Sequence, residues 1–316
     1  MTYSNNSAYK QTIDTLTFID SKIIEQKFYE IKNIPDFVDI ETGRGGVSET
    51  IMNYSTFDTV GGFETGNFGS GVDFEKTASA DIVIDTKTFY RQAWKKSVTY
   101  NLFDVSQANQ AKVINIIEGK LKARKKNWDL GIQETIFLGS KENENITGLL
   151  NNDSVNVDTT SITKSLSSMS AEEFNNFIAT IPNKFYLNAN RTCMFNRMII
   201  PASDYNGLAS QMSATFPMKT KLEVLEEAFK ATVAGYGETD FKILPLGYAD
   251  ASMNGKNKNI YVLYRKDIDT LIYDLALDYT TTAFNTLNSF DFCNIAYGMY
   301  GSVNILRPQE VLYFQY

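Results

Sequence analysis

Residues 103–138 read FDVSQANQAKVINIIEGKLKARKKNWDLGIQETIFL. A Gly139-Ser140 pair and a polar loop follow, running to Gly148-Leu149-Leu150-Asn151-Asn152. No proline interrupts the stretch, and Asp104 or Ser106 can cap its start. Val113, Ile117, Leu121, Trp128, Ile132 and Ile136 fall on one broad face at about 100° per residue. The pattern predicts a single helix over 103–138, about 50 Å long. Such a length suits a structural spine better than the interior of a globular enzyme. Gly119 and Gly131 weaken or bend it. Lys120 to Lys126 carries five positive charges in seven residues. Of these, Lys122, Lys125 and Lys126 lie within about 100° of arc beside the apolar stripe. They read as a solvated helix face, or as a local basic surface toward acidic neighbours or nucleic acid.

Upstream, residues 44–101 are glycine-rich, β-branched and aromatic. GGFETGNFGSG, positions 61–71, holds five glycines in eleven residues. Asp81-Ile82-Val83-Ile84 and Ser97-Val98-Thr99-Tyr100 read as strand. The region is predicted as two extended strands joined by a long tip, a loop of the kind that is functional or interfacial. No GK[ST] follows the glycines and no GxGxxG opens a helix, so a phosphate cradle is weakly supported. Residues 1–43 read as an arm. Ile13, Leu16, Ile23, Ile24, Phe28 and Ile31 recur at rough helical spacing, and Pro35 ends the pattern. So short a stretch cannot bury its apolar face alone. It packs either on its own domain, the simpler reading, or on a neighbouring subunit.

Downstream, Ser170 with Glu173 forms a capping box before Phe174, Phe177, Ile178 and Ile181, and Pro182 is expected to stop that helix. Thr192 to Ile200 reads as a buried strand ended by Pro201. Thr220 with Glu223 opens an amphipathic helix on Leu222, Leu225, Phe229 and Val233, closed by Gly235 and Gly237. Strands are expected at Asn259–Arg265, more weakly at Leu271–Leu277, and at Phe290–Tyr300, Val303–Leu306 and Val311–Phe314. In Phe290–Tyr300, Cys293, Ile295, Tyr297 and Met299 alternate onto one side.

Most catalytic chemistry fails on inventory. The chain of 316 residues has no histidine, which removes His-based triads, acid–base pairs and metal ligands. Its two cysteines, Cys193 and Cys293, form no CxxC motif. The acidic pairs Glu142/Glu144, Glu172/Glu173 and Glu226/Glu227 are each explained by a polar loop, a helix first turn or a polar helix face. A carboxylate-only hydrolase would need two acids facing one cleft. No calcium-loop motif occurs. No catalytic residue, cofactor or metal site is predicted. Net charge is −7, with 37 acidic against 30 basic residues, unlike a freestanding DNA-binding module. The longest apolar run is Ile260 to Tyr264, far short of the ~20 residues that span a bilayer. The N-terminus lacks the pattern of a secretory leader.

The order of parts, an arm, a Gly-tipped hairpin, a spine-length helix and a strand-rich α+β body, resembles the tailed-bacteriophage major capsid proteins of the Hong Kong 97 fold, which encapsulin nanocompartments share. The resemblance lies in QETIFLGS (133–140), Gly148-Leu149-Leu150-Asn151-Asn152, Tyr264-Arg265-Lys266-Asp267, and Gly301 with Val303, Ile305, Arg307 and Pro308. It implies an N-arm at 1–43 and an E-loop at 44–101. A P-domain would cover 102–190 with its spine helix at 103–138, an A-domain 191–295, and return strands 296–316.

The resemblance implies assembly rather than catalysis: pentamers and hexamers closing into an icosahedral or prolate head shell around double-stranded DNA. It implies a virion location, assembly in the bacterial host cytoplasm, and non-specific DNA contact. It also implies a portal, and a separate scaffolding protein, since the arm pattern starts by about Ile13. Lys122, Lys125 and Lys126 would then face the lumen or a neighbour. The alternatives are an encapsulin-like shell and a tail or baseplate structural protein.

Overall fold

The computed structural model describes residues 27–43, 51–60, 81–104, 106, 116–213, 218–288 and 290–316. In chain order the first strands are β1 (Asp39–Thr42), β2 (Ile51–Val60) and β3 (Asp81–Asn101). Helix α1 (Ile116–Leu138), β4 (Asn156–Asp158) and α2 (Ala171–Asn188) follow. Then come β5 (Arg197–Pro201), α3 (Ala202–Ser210), α4 (Lys221–Ala234) and β6 (Lys242–Leu246). The C-terminal strands are β7 (Ile260–Tyr264), β8 (Leu271–Leu275), β9 (Leu277–Thr281), β10 (Asn285–Thr286), β11 (Asp291–Gly301), β12 (Val303–Ile305) and β13 (Val311–Gln315).

The body is organised by the sheet β4-β13-β7-β5-β6. Alternation divides its side chains between two cores. From β7, Ile260, Val262 and Tyr264 join a core with Trp128, Ile136 and Phe137 of α1. Tyr261 and Leu263 point the other way, into a core with Phe174, Phe177 and Phe185 of α2 and Leu225 and Phe229 of α4. β13 splits likewise, with Val311 and Tyr313 against Leu312 and Phe314. A strand buried on both faces reads as a continuous apolar run, as Ile260–Tyr264 does.

Both predicted capping boxes form. The Ser170 hydroxyl accepts from the Glu173 N–H while the Glu173 carboxylate accepts from the Ser170 N–H, and Thr220 with Glu223 does the same. Pro182 does not stop α2, which continues to Asn188. An interior proline costs about 3 kcal/mol, and tertiary contact offsets it here. Phe185 is fully buried beyond the proline, and Asn188 Nδ2 donates to the carbonyls of Gln309 and Val311. The strand expected from Thr192 starts only at Arg197; before it Thr192 is exposed and Cys193 half-buried, while Met194, Phe195 and Asn196 are buried. Phe28 and Ile31 are not helical: residues 27–31 have irregular backbone, and Pro35 lies inside a short 3₁₀ turn, Ile34–Asp36. The arm residues 13–24 lie outside the described residues.

Strands β2 and β3 form the expected hairpin, in register from Ile51 opposite Tyr90 to Val60 opposite Asp81. Its tip, 61–80, lies outside the described residues. β3 is 21 residues long. Its second half, Arg91 to Asn101, pairs with β11, and among the described residues its first half is paired by β2 alone. In β11 the side that carries Cys293, Ile295, Tyr297 and Met299 is buried at its ends and open at its centre. Ile295 and Tyr297 are exposed, while Asn294 and Ala296 are buried. Gly298 explains the choice: a Cβ there would lie 2.3 Å from Trp128 Cη2 of α1. The glycine face packs on the helix, and the register slips beside β9 between Tyr297 and Met299.

Candidate functional site

Helix α1 is the long described part of the predicted spine; residues 103, 104 and 106 are also helical, and 105 and 107–115 lie outside the described residues. Its buried side is not wholly apolar: Arg124, Gln133 and Thr135 are buried with Trp128, Ile136 and Phe137. Its C-terminus accounts for the Gly-Leu-Leu-Asn-Asn motif. Helix ends leave carbonyls without intrahelical donors. Leu149 N–H donates to Ile136 O at 2.8 Å and Leu150 N–H to Phe137 O at 3.0 Å. Asn151 Nδ2 donates to Leu138 O at 2.7 Å. Gly139 sits at φ +75°, and a Cβ on Gly148 would lie 2.5 Å from Gly139 N, so the two backbones touch where no side chain fits. Both leucines then fill the core.

The basic run divides. Arg124 is 2% exposed and is a clamp, not a surface charge. Its guanidinium donates to Asn294 O (2.8 Å), Asn294 Oδ1 (2.5 Å) and Tyr279 Oη (2.9 Å), tying α1 to β11 and β9. The pattern of charges gave no sign of this; the buried Asn294 that receives it lies on the face of β11 opposite Ile295 and Tyr297.

Lys122, Lys125 and Lys126 do come together, along one wall of a groove whose other wall is Glu30, Ile31 and Ile34. Each is paired within the chain. Lys122 meets Glu118 at 2.8 Å, Lys125 meets Asp129 at 2.6 Å, and Lys126 meets Glu30 at 3.0 Å. Lys122 holds the Glu118 carboxyl below its ordinary range. Lys126 also stands 5.0 Å from the Phe28 ring and Lys125 5.0 Å from that of Tyr279. Exposed pairs of this kind are weak and screened by salt. The strap 27–34 is fixed to α1 by Gln133, whose Oε1 accepts from Ile31 N–H at 2.7 Å and whose Nε2 donates to Tyr29 O at 3.0 Å.

The hairpin is anchored at its root. Arg91, buried, makes a forked pair with buried Asp274 of β8, Nε to Oδ2 at 2.5 Å and Nη2 to Oδ1 at 2.9 Å. Lys87 Nζ donates to Leu306 O at 2.6 Å. Beyond this root Ile84 is 71% exposed and Ile51 50%.

The three acidic pairs do not converge with one another, and Glu142 shares a cleft with Glu134, whose carboxylate is paired with Lys141. Glu173 serves its capping box and Lys164, which holds it down to about 2. Glu226 pairs with Lys230 and Glu227 with Lys219. Among the described residues no group of three or more His, Cys, Asp or Glu could hold a metal, and no helix is long and apolar enough to cross a membrane. Cys193 and Cys293 are both free thiols, and burial pushes the Cys193 thiol up, away from a reactive thiolate.

The arrangement of a helix capped by a Gly-Leu-Leu-Asn-Asn loop, a hairpin rooted beside it and a doubly buried sheet matches solved structures of the Hong Kong 97 fold. The capsid of Myoviridae phage XM1 is similar, with TM-score 0.77 at 14% identity over 96% of this chain and 97% of that one. The structure of Mycobacterium phage Ogopogo gives TM-score 0.58 at 14% identity, covering 99% of both chains. The SrpI encapsulin of Synechococcus elongatus PCC 7942 gives 0.52 at 9% identity, over 99% and 95%. No curated protein sequence matches the chain. The profile of the family described as major capsid protein matches residues 71–316. The chain belongs to the major capsid protein family.

Proposed function

We propose that copies of this chain assemble, as pentamers and hexamers, into the closed head shell of a tailed bacteriophage around its DNA, and that the chain carries no catalysis. The observation that carries this is the hairpin: a two-stranded ribbon projecting past its Arg91–Asp274 root, with exposed apolar side chains. Such a ribbon is marginal alone and needs a covering surface. A neighbouring copy supplies one at every position of a closed shell.

In this reading the arm is 1–43, the E-loop 44–101, the P-domain 102–190 and the axial A-domain 191–295, with 296–316 returning to the P-domain. The row of Lys122, Lys125 and Lys126 faces a neighbour or the lumen. Its acidic partners leave it only a weak hold on DNA phosphates, which suits packaging without sequence preference. A separate scaffolding protein, a portal, assembly in the host cytoplasm and residence in the virion complete the reading.

Negative-stain microscopy of the expressed protein, alone and with its adjacent gene products, tests it. Closed shells or hexamer and pentamer rings are expected. A monodisperse monomer under every condition would overturn the reading.

A further inference from the structure

A second cleft lies beside the C-terminal end of α1, away from the lysine row. Trp94, Trp128, Tyr300 and Ile132 wall it, and Glu134 and Glu142 stand on its polar side. Trp94 and Trp128 are the only tryptophans of the chain, with ring centroids 5.0 Å apart. Trp128 is buried, while Trp94 and Tyr300 keep part of their surface open. The cleft measures about 200 Å³. Pockets for small-molecule ligands run from about 300 to 1,000 Å³, so this one is scaled to a single side chain.

Its chemistry selects a cation. Indole and phenol faces attract positive charge, and a helix C-terminus is the negative end of the helix dipole. The cleft already holds one cation from its own chain: Lys141 meets Glu134 at 2.6 Å, with the lysine side chain 81% exposed. Glu142 is different. It receives a long hydrogen bond, 3.4 Å, from Gln92 Nε2, and among the described residues no lysine or arginine forms an ion pair with it.

We propose that this cleft is an anchor site for an arginine side chain carried by a second copy of this chain. The planar guanidinium would lie along the open face of Trp94 and direct its forked donors to Glu142. Arginine seated in an aromatic pocket is a recurrent energetic centre of protein interfaces. The choice of a second copy rests on the shell reading, under which the lateral neighbours of every subunit are copies of itself. The net acidity of the cleft, Glu134 and Glu142 against Lys141, gives the charge complementarity.

Because both tryptophans line the cleft, intrinsic fluorescence reads it without a label. Unassembled subunits are titrated with N-acetyl-argininamide and, separately, with the neutral isostere N-acetyl-citrullinamide. A saturable change is expected with the first alone, and its loss in Glu142→Gln, an exposed substitution that leaves the core intact. Acrylamide quenching is then compared before and after assembly, where shielding of tryptophan is expected in shells. Equal responses to the two probes, or shells in which tryptophan is quenched as in free subunits, would overturn the anchor while leaving the shell intact. A chain that binds the arginine probe yet forms no shell with any gene product would overturn the second copy as its source, together with the shell reading.

Discussion

The sheet β4-β13-β7-β5-β6 and the hairpin β2–β3 are built from similar β-branched and aromatic residues, yet they are stabilised by different things. In the body sheet every strand residue of β5 and β7 is buried, and each face has its own core. In the outer hairpin the pairing is complete along ten residues of β2, but Ile51 and Ile84 face solvent. Hydrogen-bonded register therefore does not by itself define a stable element. The body carries its own stabilisation, whereas the hairpin leaves apolar side chains open. Under the proposed shell the contrast is a difference in where the free energy is released: on folding in one case, on assembly in the other.

Substitutions on either side test that contrast, and the strongest response belongs to the body. Phe229 is fully buried and packs edge-on against Phe195 and Phe241. Phe229→Ala is expected to cost about 3–5 kcal/mol of subunit stability, read by urea unfolding. Breaking the hairpin root comes next. Asp274→Ala leaves a buried Arg91 charge without its partner and should cost a comparable 3–5 kcal/mol or so. The double change Arg91→Met with Asp274→Leu should recover most of that loss, because no charge is then left buried. If the double variant is as unstable as the single, the pair is not what holds the root.

The third test crosses from body to hairpin. Ile84→Lys should move subunit unfolding by no more than about 0.5 kcal/mol, the usual range for exposed sites. The same change should reduce the yield of shells measured by sedimentation. A loss of subunit stability near that of Phe229→Ala would mean that the hairpin is held by its own chain, and the contrast would fail.

The parts that were legible in the sequence share one property: their cause is local. The capping boxes at Ser170 and Thr220 satisfy helix N–H groups within three residues, so their spacing carries the whole argument. The doubly buried β7 is legible as an unbroken apolar run. What escaped depends on distant partners. Gly298 turns the face of β11 inward only because Trp128 lies against it. Pro182 is tolerated in α2 because Phe185 and Asn188 are gripped from elsewhere. β6, with Pro245 in its interior, reads poorly as strand, but it lies at the sheet edge, where a missing N–H does no harm. Of the site, the lysine row was legible as a row, while its acidic partner Glu30 lies on the strap, far away in sequence. The role of the Gly148–Asn152 motif as a helix cap was not legible, since its acceptors lie more than ten residues back across a loop.

The smallest effect tests whether local signals act alone. Lys164 and the Ser170 cap hold the Glu173 carboxyl down from an ordinary 4.5 to about 2. A group whose pKa is depressed by folding contributes stability that is full above its unfolded value and is lost as pH falls through the folded one. The difference in stability between the native chain and Glu173→Gln should therefore be constant at neutral pH. It should shrink as the pH falls below about 4.5 and vanish near 2, with unfolding of unassembled subunits followed by circular dichroism. Glu173 is exposed and its lysine pair is screened, so raised salt should shrink the neutral-pH difference to the part due to the capping box. A difference that persists unchanged at pH 2 would place the role of Glu173 in packing, and the local reading of its spacing would be wrong.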